Sequence, residues 1–132
     1  MKRKVKAEEE INRIIEEINR EIDLVVVEGI HDEEVLRLLG YRGEVLRFSS
    51  FRGVLSISEQ LERNFPGKRV LILTDYDRRG EELNDKIKKA LETSRVKINE
   101  RLRRDLGLLL SKYSIKTIEE ARGLLVKDYR LL

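Results

Sequence analysis

Two short apolar runs constrain this chain more than anything else in it. Leu24-Val25-Val26-Val27 and Val70-Leu71-Ile72-Leu73 are continuous, rich in β-branched residues and free of polar alternation. Such runs read as strands covered on both faces, the pattern of a parallel sheet with helices above and below it. Carboxylates follow both: Glu28 directly after the first, Asp75 and Asp77 just past the second. An acid at the end of a buried strand is costly unless something pairs with it. Ligands of open α/β sheets bind beyond the carboxyl ends of the strands. The two runs therefore bear on fold class and on the place of chemistry together.

The segments around them complete an alternation. Ala7, Ile11, Ile14, Ile15, Ile18 and Ile22 form one stripe, predicting an amphipathic helix over 6–22 whose apolar face is either core or a dimer contact. Beyond Gly29, Asp32 is placed to cap a short helix over 33–39, stopped by Gly40. Residues 44–48 read as a second strand. Ser56-Ile57-Ser58-Glu59 has capping-box spacing and opens a helix ending before Pro66-Gly67. Residues 68–74 are the clearest strand, 75–80 its loop, and 81–91 the next helix. A short strand over 95–98 and a helix over 99–113 follow. A second capping box, Thr117-Ile118-Glu119-Glu120, opens a last helix over 117–126. The pattern is α/β, with a mostly parallel central sheet flanked by helices. At 132 residues it suits one domain, divided into an N-terminal helical extension (1–21), a core (22–98) and a C-terminal helical segment (99–132).

Composition removes whole classes of chemistry. With no Cys there is no disulfide, thiol catalysis or Cys-ligated zinc, and a single His31 excludes a multi-His metal site within one chain. No apolar run approaches the ~20 residues of a bilayer span. Met1-Lys2-Arg3-Lys4 leads into an acidic amphipathic stretch rather than an apolar signal core, so a cytoplasmic protein is expected, with Lys2, Arg3, Lys4 and Lys6 as a solvating tail. A charged fraction of 40% without Cys fits a thermophile's composition. The net charge of +3 is too mild to decide on a nucleic-acid partner, so local patches carry that question. Over 95–112, Arg95, Lys97, Arg101, Arg103, Arg104 and Lys112 outnumber Glu100 and Asp105, and Arg47, Arg52, Arg78 and Arg79 add charge from neighbouring loops. Such residues either bind phosphates in a salt-dependent way or form a solvated face.

If the two strands are neighbours, Glu28, Asp75 and Asp77 converge on one small volume. Hard carboxylate oxygens then suit Mg²⁺, with Mn²⁺ as the alternative, and Mg²⁺ commonly bridges carboxylates to phosphate oxygens. That points to phosphoryl-transfer chemistry. An aspartate pair after an apolar strand also occurs in haloacid-dehalogenase phosphatases, a fold that the upstream Glu28-Gly29 fits poorly. His31 is either a proton shuttle near Glu28 or a surface residue. Tyr76, between the aspartates, either stacks on a base or packs.

Val26-Val27-Glu28-Gly29 followed by Leu73-Thr74-Asp75-Tyr76-Asp77-Arg78-Arg79-Gly80-Glu81 resembles the two motifs of the TOPRIM domain. That domain is shared by type IA and type II topoisomerases, bacterial primases, OLD-family nucleases and a ribosomal-RNA-maturing ribonuclease. The resemblance spans roughly residues 22–98 and implies a Rossmann-like fold. It implies that Glu28 ligates metal or acts as general acid/base at a phosphodiester, and that Asp75 and Asp77 bind the metal. It further implies that Gly29 and Gly80 let the backbone turn sharply beside the site, and that Arg78 lies close to phosphate. Asp32 matches an acidic position of the ribosomal-RNA-maturing enzyme. Arg79, His31, Arg101 and Arg104 are further candidates for phosphate or nucleic-acid contact. No G-x-x-x-x-G-K-[ST] phosphate loop and no Cys-ligated zinc module accompany the motifs, so the chain looks like the small stand-alone TOPRIM proteins of archaea and bacteria. The expectation is a Mg²⁺-dependent protein acting on DNA or RNA phosphodiesters, most simply a nuclease. The alternative is a non-catalytic metal- and nucleic-acid-binding accessory module working with a partner protein. Under either reading the partners expected besides nucleic acid are a second copy of the chain or another protein.

Overall fold

Side chains of a strand alternate between faces, so a run that is apolar at every position needs a cover on both sides. The computed structural model, which describes residues 2–125, supplies both covers. Its helices and strands in chain order are α1 (Lys2–Glu21), β1 (Leu24–Val27), α2 (Ile30–Leu38), β2 (Glu44–Arg47), α3 (Val54–Asn64), β3 (Arg69–Leu73), α4 (Arg78–Ala90), β4 (Lys97–Ile98) and α5 (Glu100–Lys112). Short 3-10 turns lie at Phe48–Ser50 and Glu119–Leu124.

The four strands lie in the order β2-β1-β3-β4 and every pairing is parallel. Val25, Val27, Leu71 and Leu73 face one core, shared with α1, α2, α5 and the turn at 119–124. Leu24, Val26, Val70 and Ile72 face the other, where Ile57 and Leu61 of α3 meet Ile87 of α4 and Leu91. All eight strand residues are buried. Each contributes about 1.5–3 kcal/mol on leaving water. Ile11, Ile15 and Ile18 are completely buried, and Ile14 packs at the edge of the same cluster, so the stripe of α1 is core.

Chain connectivity reverses between β1 and β3. From β1 the chain steps outward to β2, then returns to the opposite side of β1 to form β3. This is the switch point at which open α/β sheets leave a crevice. Val27 stands opposite Leu73, so the residues that follow both strands emerge side by side.

Element boundaries differ from the sequence reading wherever a cap or a buried residue decided them. The backbone of the basic start is the first turn of α1 rather than a tail. Helix α2 begins at Ile30 because Asp32 sits inside its first turn, where its Oδ2 accepts the N–H of Gly29 at 3.0 Å. Helix α3 begins at Val54, ahead of the Ser56 box, and Val54 packs against the sheet. Val54 is partly buried there, which favours the earlier start. Half of the second box forms, the Glu120 N–H donating to Thr117 Oγ1 at 3.2 Å while that hydroxyl donates to Glu120 Oε1 at 2.8 Å, and it introduces a 3-10 turn rather than an α-helix. Val126, the predicted end of that helix, lies outside the described residues. Among the described residues no helix is long and apolar enough to cross a membrane.

Candidate active site

The site is built where β1 and β3 end together. Glu28 leaves β1 and turns its carboxylate across the crevice, where Oε2 accepts the backbone N–H of Asp75 at 2.8 Å. The Asp75 side chain is held from the far side of the chain: its Oδ1 accepts the N–H of Ile118 at 2.9 Å. The Tyr76 N–H donates to the Lys116 carbonyl at 2.6 Å, so residues 116–118 form a strap across the loop after β3. Ser114, in the left-handed region at φ 60°, follows the end of α5 and turns the chain toward that strap.

Asp77 caps α4, with Oδ1 accepting the Gly80 N–H at 2.8 Å, so α4 starts at Arg78, inside the segment read as loop. Gly80 is required by close approach. A Cβ there would stand 2.0 Å from the Asp75 carbonyl oxygen. Thr74, fully buried, donates from Oγ1 to the Gly80 carbonyl at 2.7 Å and fastens the same turn. Gly29 has a different role from the sharp turn expected of it. Its backbone is extended at φ −152°, a conformation open to any residue, and the nearest atom to an added Cβ is Ser49 Oγ at 3.9 Å.

Burial pushes the Asp75 carboxyl up to about 7. The Ile118 N–H opposes this, while Glu28, Asp32 and Asp77 reinforce it. Asp32 is raised for the same leading reason, against the pull of the Gly29 N–H, with Glu28 and Glu119 adding repulsion. Four acids thus crowd one crevice, and Asp75 carries the cost.

A cleft of about 480 Å³ opens beside Glu28, between the start of α3 and the first turns of α4. Phe48, Ser49 and Val54 line it together with Arg79, Glu82 and Lys86 of α4. Arg78, 93% exposed in its side chain, pairs with Glu82 at 3.1 Å. His31 is exposed and lies 3.5 Å from Glu34.

The Toprim domain model matches residues 23–101, from the entry to β1 through the start of α5. The chain belongs to the Toprim family. A UPF0292 protein of Thermococcus gammatolerans is 37% identical over 114 residues, covering 86% of this chain and 82% of its own length. A second UPF0292 protein, from Thermococcus onnurineus, is 39% identical over 103 residues, covering 78% and 74%. A solved structure of a putative protein from Aquifex aeolicus superposes with a TM-score of 0.65 at 28% identity, covering 85% of this chain and 95% of that one. These relatives agree with the small-protein, archaeal-like reading of the sequence. Toprim membership carries a metal-dependent, nucleic-acid-related role and a general association with Mg²⁺.

The Toprim acids of this chain suit such a cation as open donors rather than as a closed cage. Among the described residues, no group of three or more His, Cys, Asp or Glu side chains is gathered tightly enough to hold a metal ion by itself. Each motif acid nevertheless has one oxygen committed to a backbone N–H. Glu28 Oε1, Asp75 Oδ2 and Asp77 Oδ2 receive no hydrogen bond from any described residue. Mg²⁺ usually takes one or two carboxylates, keeps several waters and completes its shell with substrate phosphate. Oriented half-committed carboxylates fit that habit, with Glu28 and Asp75 joined by the hydrogen bond across the crevice.

The basic patch expected on α5 is mostly spent on structure. Arg101 pairs with Glu17, with Glu21 at 3.0 Å and with Asp105 at 2.9 Å, and Lys112 with Glu10 at 2.9 Å. Arg103 is turned inward rather than toward solvent. It is buried, donates to the carbonyls of Ile72 at 3.1 Å, Thr74 at 2.7 Å and Asp75 at 3.1 Å, and pairs with Glu81. Its guanidinium lies 4.4 Å from the centre of the Tyr76 ring, whose hydroxyl donates back to the Arg103 carbonyl at 2.7 Å. Tyr76 therefore packs, with Gly107 making room for its ring. Arg103 is the residue that the sequence reading misplaced. It falls one turn before Leu106 and two turns before Leu110, on the buried stripe of α5, and that register was the available signal. Arg104, next to it, is exposed and makes no hydrogen bond or ion pair with any described residue.

Proposed function

We propose that this Toprim protein is a Mg²⁺-dependent enzyme acting on nucleic-acid phosphodiesters, most simply a nuclease. The observation that supports it best is the Glu28 carboxylate hydrogen-bonded to the Asp75 backbone at the switch point of the sheet. A carboxylate fixed there, with a free oxygen toward the crevice, is poised to orient a reacting group. Asp75 and Asp77 offer further oxygens to the cation, and Glu28 either joins them or moves a proton. A bound Mg²⁺ would supply charge neutralisation for the phosphate. Arg79 and Lys86, which line the cleft beside Glu28, bring positive charge to it and lower the energy of an anionic transition state. In hydrolysis, water loses a proton as its oxygen bonds phosphorus, the opposite P–O bond breaks, and the departing oxygen is protonated. The titratable group for that traffic is Glu28.

One observation favours a second reading, a metal- and nucleic-acid-binding module completed by a partner. The motif acids do not form a metal cage by themselves, and a partner or substrate group would finish it. A single experiment separates the two. Mg²⁺ and Mn²⁺ are titrated into wild type and an Asp75→Asn/Asp77→Asn variant, with labelled single- and double-stranded DNA and RNA in the same samples. Metal-dependent cleavage lost in the variant is the expected result. Metal and nucleic-acid binding without cleavage supports the module, and no metal binding at millimolar concentration refutes both.

A further inference from the structure

A second cleft, of about 510 Å³, lies on the other side of the Asp75–Asp77 loop, between α4 and α5. Its lining includes Tyr76 of that loop, Arg103 of α5, which donates to the Asp75 carbonyl, and Asn84 of α4. Asn84 is only 6% exposed, yet its Oδ1 is buried with no hydrogen-bond partner. Its amide nitrogen is not engaged by any described residue either. A buried carboxamide left open destabilises the fold, and such exceptions call for a reason. Ile98 and Leu108 supply apolar wall, with Leu108 left 65% exposed at the rim. Arg104, free of ion pairs among the described residues, lines the cleft as well, beside Asp85, Glu100 paired with Lys88, and Glu81 paired with Arg103.

We propose that this cleft receives an unpaired nucleobase of the strand whose phosphodiester lies at Glu28 and Asp75. A carboxamide presents one acceptor and two donors side by side. Its natural complement is a flat edge with an exocyclic amine next to a ring nitrogen, as on adenine or cytosine; asparagine reads adenine in this bidentate way in nucleic-acid complexes. Apolar side chains at the walls take the faces of the ring, as base-binding proteins do for unstacked bases. Arg104 meets the phosphate that accompanies the base. The inference rests on the phosphodiester reading of the Glu28 crevice and adds the substrate class to it: single-stranded or locally unpaired nucleic acid, with a base preference set by Asn84.

The test avoids catalysis first. ¹⁵N-labelled full-length protein in metal-free buffer is titrated with adenosine, cytidine, guanosine and uridine, reading the side-chain amide resonances of Asn84. Saturable shifts at Asn84, larger for adenosine or cytidine, are expected. Asn84→Leu should weaken nucleoside binding about tenfold, the loss of one hydrogen-bonded pair. Because Oδ1 has no partner in the fold, the same variant should melt at or above the wild-type temperature, which a structural asparagine would not do. Arg104→Ala should weaken binding of the nucleoside monophosphate but not of the nucleoside. Absence of any shift at Asn84 with all four nucleosides overturns the proposal, as does equal binding by Asn84→Leu. Neither outcome touches metal-dependent cleavage, which the Asp75→Asn/Asp77→Asn comparison reads separately.

Discussion

Arg103→Met is the change that most directly tests how the site is held. The substitution keeps an unbranched chain and removes the guanidinium. Two of the carbonyls that Arg103 serves, those of Ile72 and Thr74, are at buried hydrogen bonds, and the third, of Asp75, is partly buried. Leaving a buried acceptor unsatisfied costs about 1–3 kcal/mol. Loss of the guanidinium over the Tyr76 ring adds about 0.5–2 kcal/mol. The Glu81 pairing adds little, because that carboxylate is more than half exposed. With partial relaxation and water entry the net loss comes to about 3–5 kcal/mol, a large share of the roughly 5–15 kcal/mol typical of a domain. Urea unfolding followed by circular dichroism reads it as a fall in midpoint at unchanged slope. Arg104→Met in parallel, one residue along the same helix, should leave the midpoint where it was. A loss below about 1 kcal/mol for Arg103→Met would refute the claim that this arginine closes the end of β3.

Three further outcomes follow from the same geometry. Gly80→Ala should destabilise by about 1–3 kcal/mol and loosen the Asp75 loop, since the new Cβ meets a backbone carbonyl at 2.0 Å; a melting temperature within about 1 °C of wild type would contradict it. Gly107→Ala gains helix propensity on α5 but drives a Cβ to 2.5 Å from the Tyr76 ring, so a lower melting temperature is expected despite the ~1 kcal/mol that alanine normally brings to a helix. For Asp75, the folded carboxyl sits at about 7 against an ordinary 3.8, so between those values the native state holds more protons than the unfolded one. Stability of the metal-free protein should therefore fall as pH rises from about 4 to about 7. Asp75→Asn, which keeps an Oδ1 for the Ile118 N–H, should flatten that decline when melting is measured across the range in chelator.

Much of this molecule is legible in its sequence because its strongest signals are local. The run from Leu24 to Val27 leaves little choice between helix and strand, since every position is apolar and β-branched residues dominate. Two such runs with helical segments between them lead to a parallel sheet with crossover connections, as the strand pairing shows. Glu28, Asp75 and Asp77 are readable for the same reason, as acids at strand ends. What escaped was set by tertiary partners far along the chain. Ile118 holds Asp75 through a backbone N–H, which any residue at 118 except proline offers, so no side-chain identity marks it. Arg103 looked like one more cation in a basic stretch, and only its register on the apolar stripe of α5 separates it from Arg101 and Arg104. Asn84 gave no signal, because an unpartnered amide is defined by what surrounds it.

The features that escaped share a location, and their placement has a physical logic. The loop carrying Asp75 is fixed from behind by Arg103, from the side by the strap at 116–118 and from below by Gly80, while Glu28 reaches it from the neighbouring strand. Rigid backbone support is thereby combined with side-chain oxygens left open toward the crevice. Burial, reinforced by repulsion from Glu28, Asp32 and Asp77, is registered in the raised Asp75 carboxyl. A fold selected only for stability would replace one of these acids, since Asn at 75 keeps the Ile118 bond and drops a buried charge. Retaining the strain costs stability near neutral pH, and the gain is a pre-built acceptor for positive charge. On the phosphodiester reading proposed above, the site is incomplete by construction, and a cation arriving with its phosphate would restore the balance.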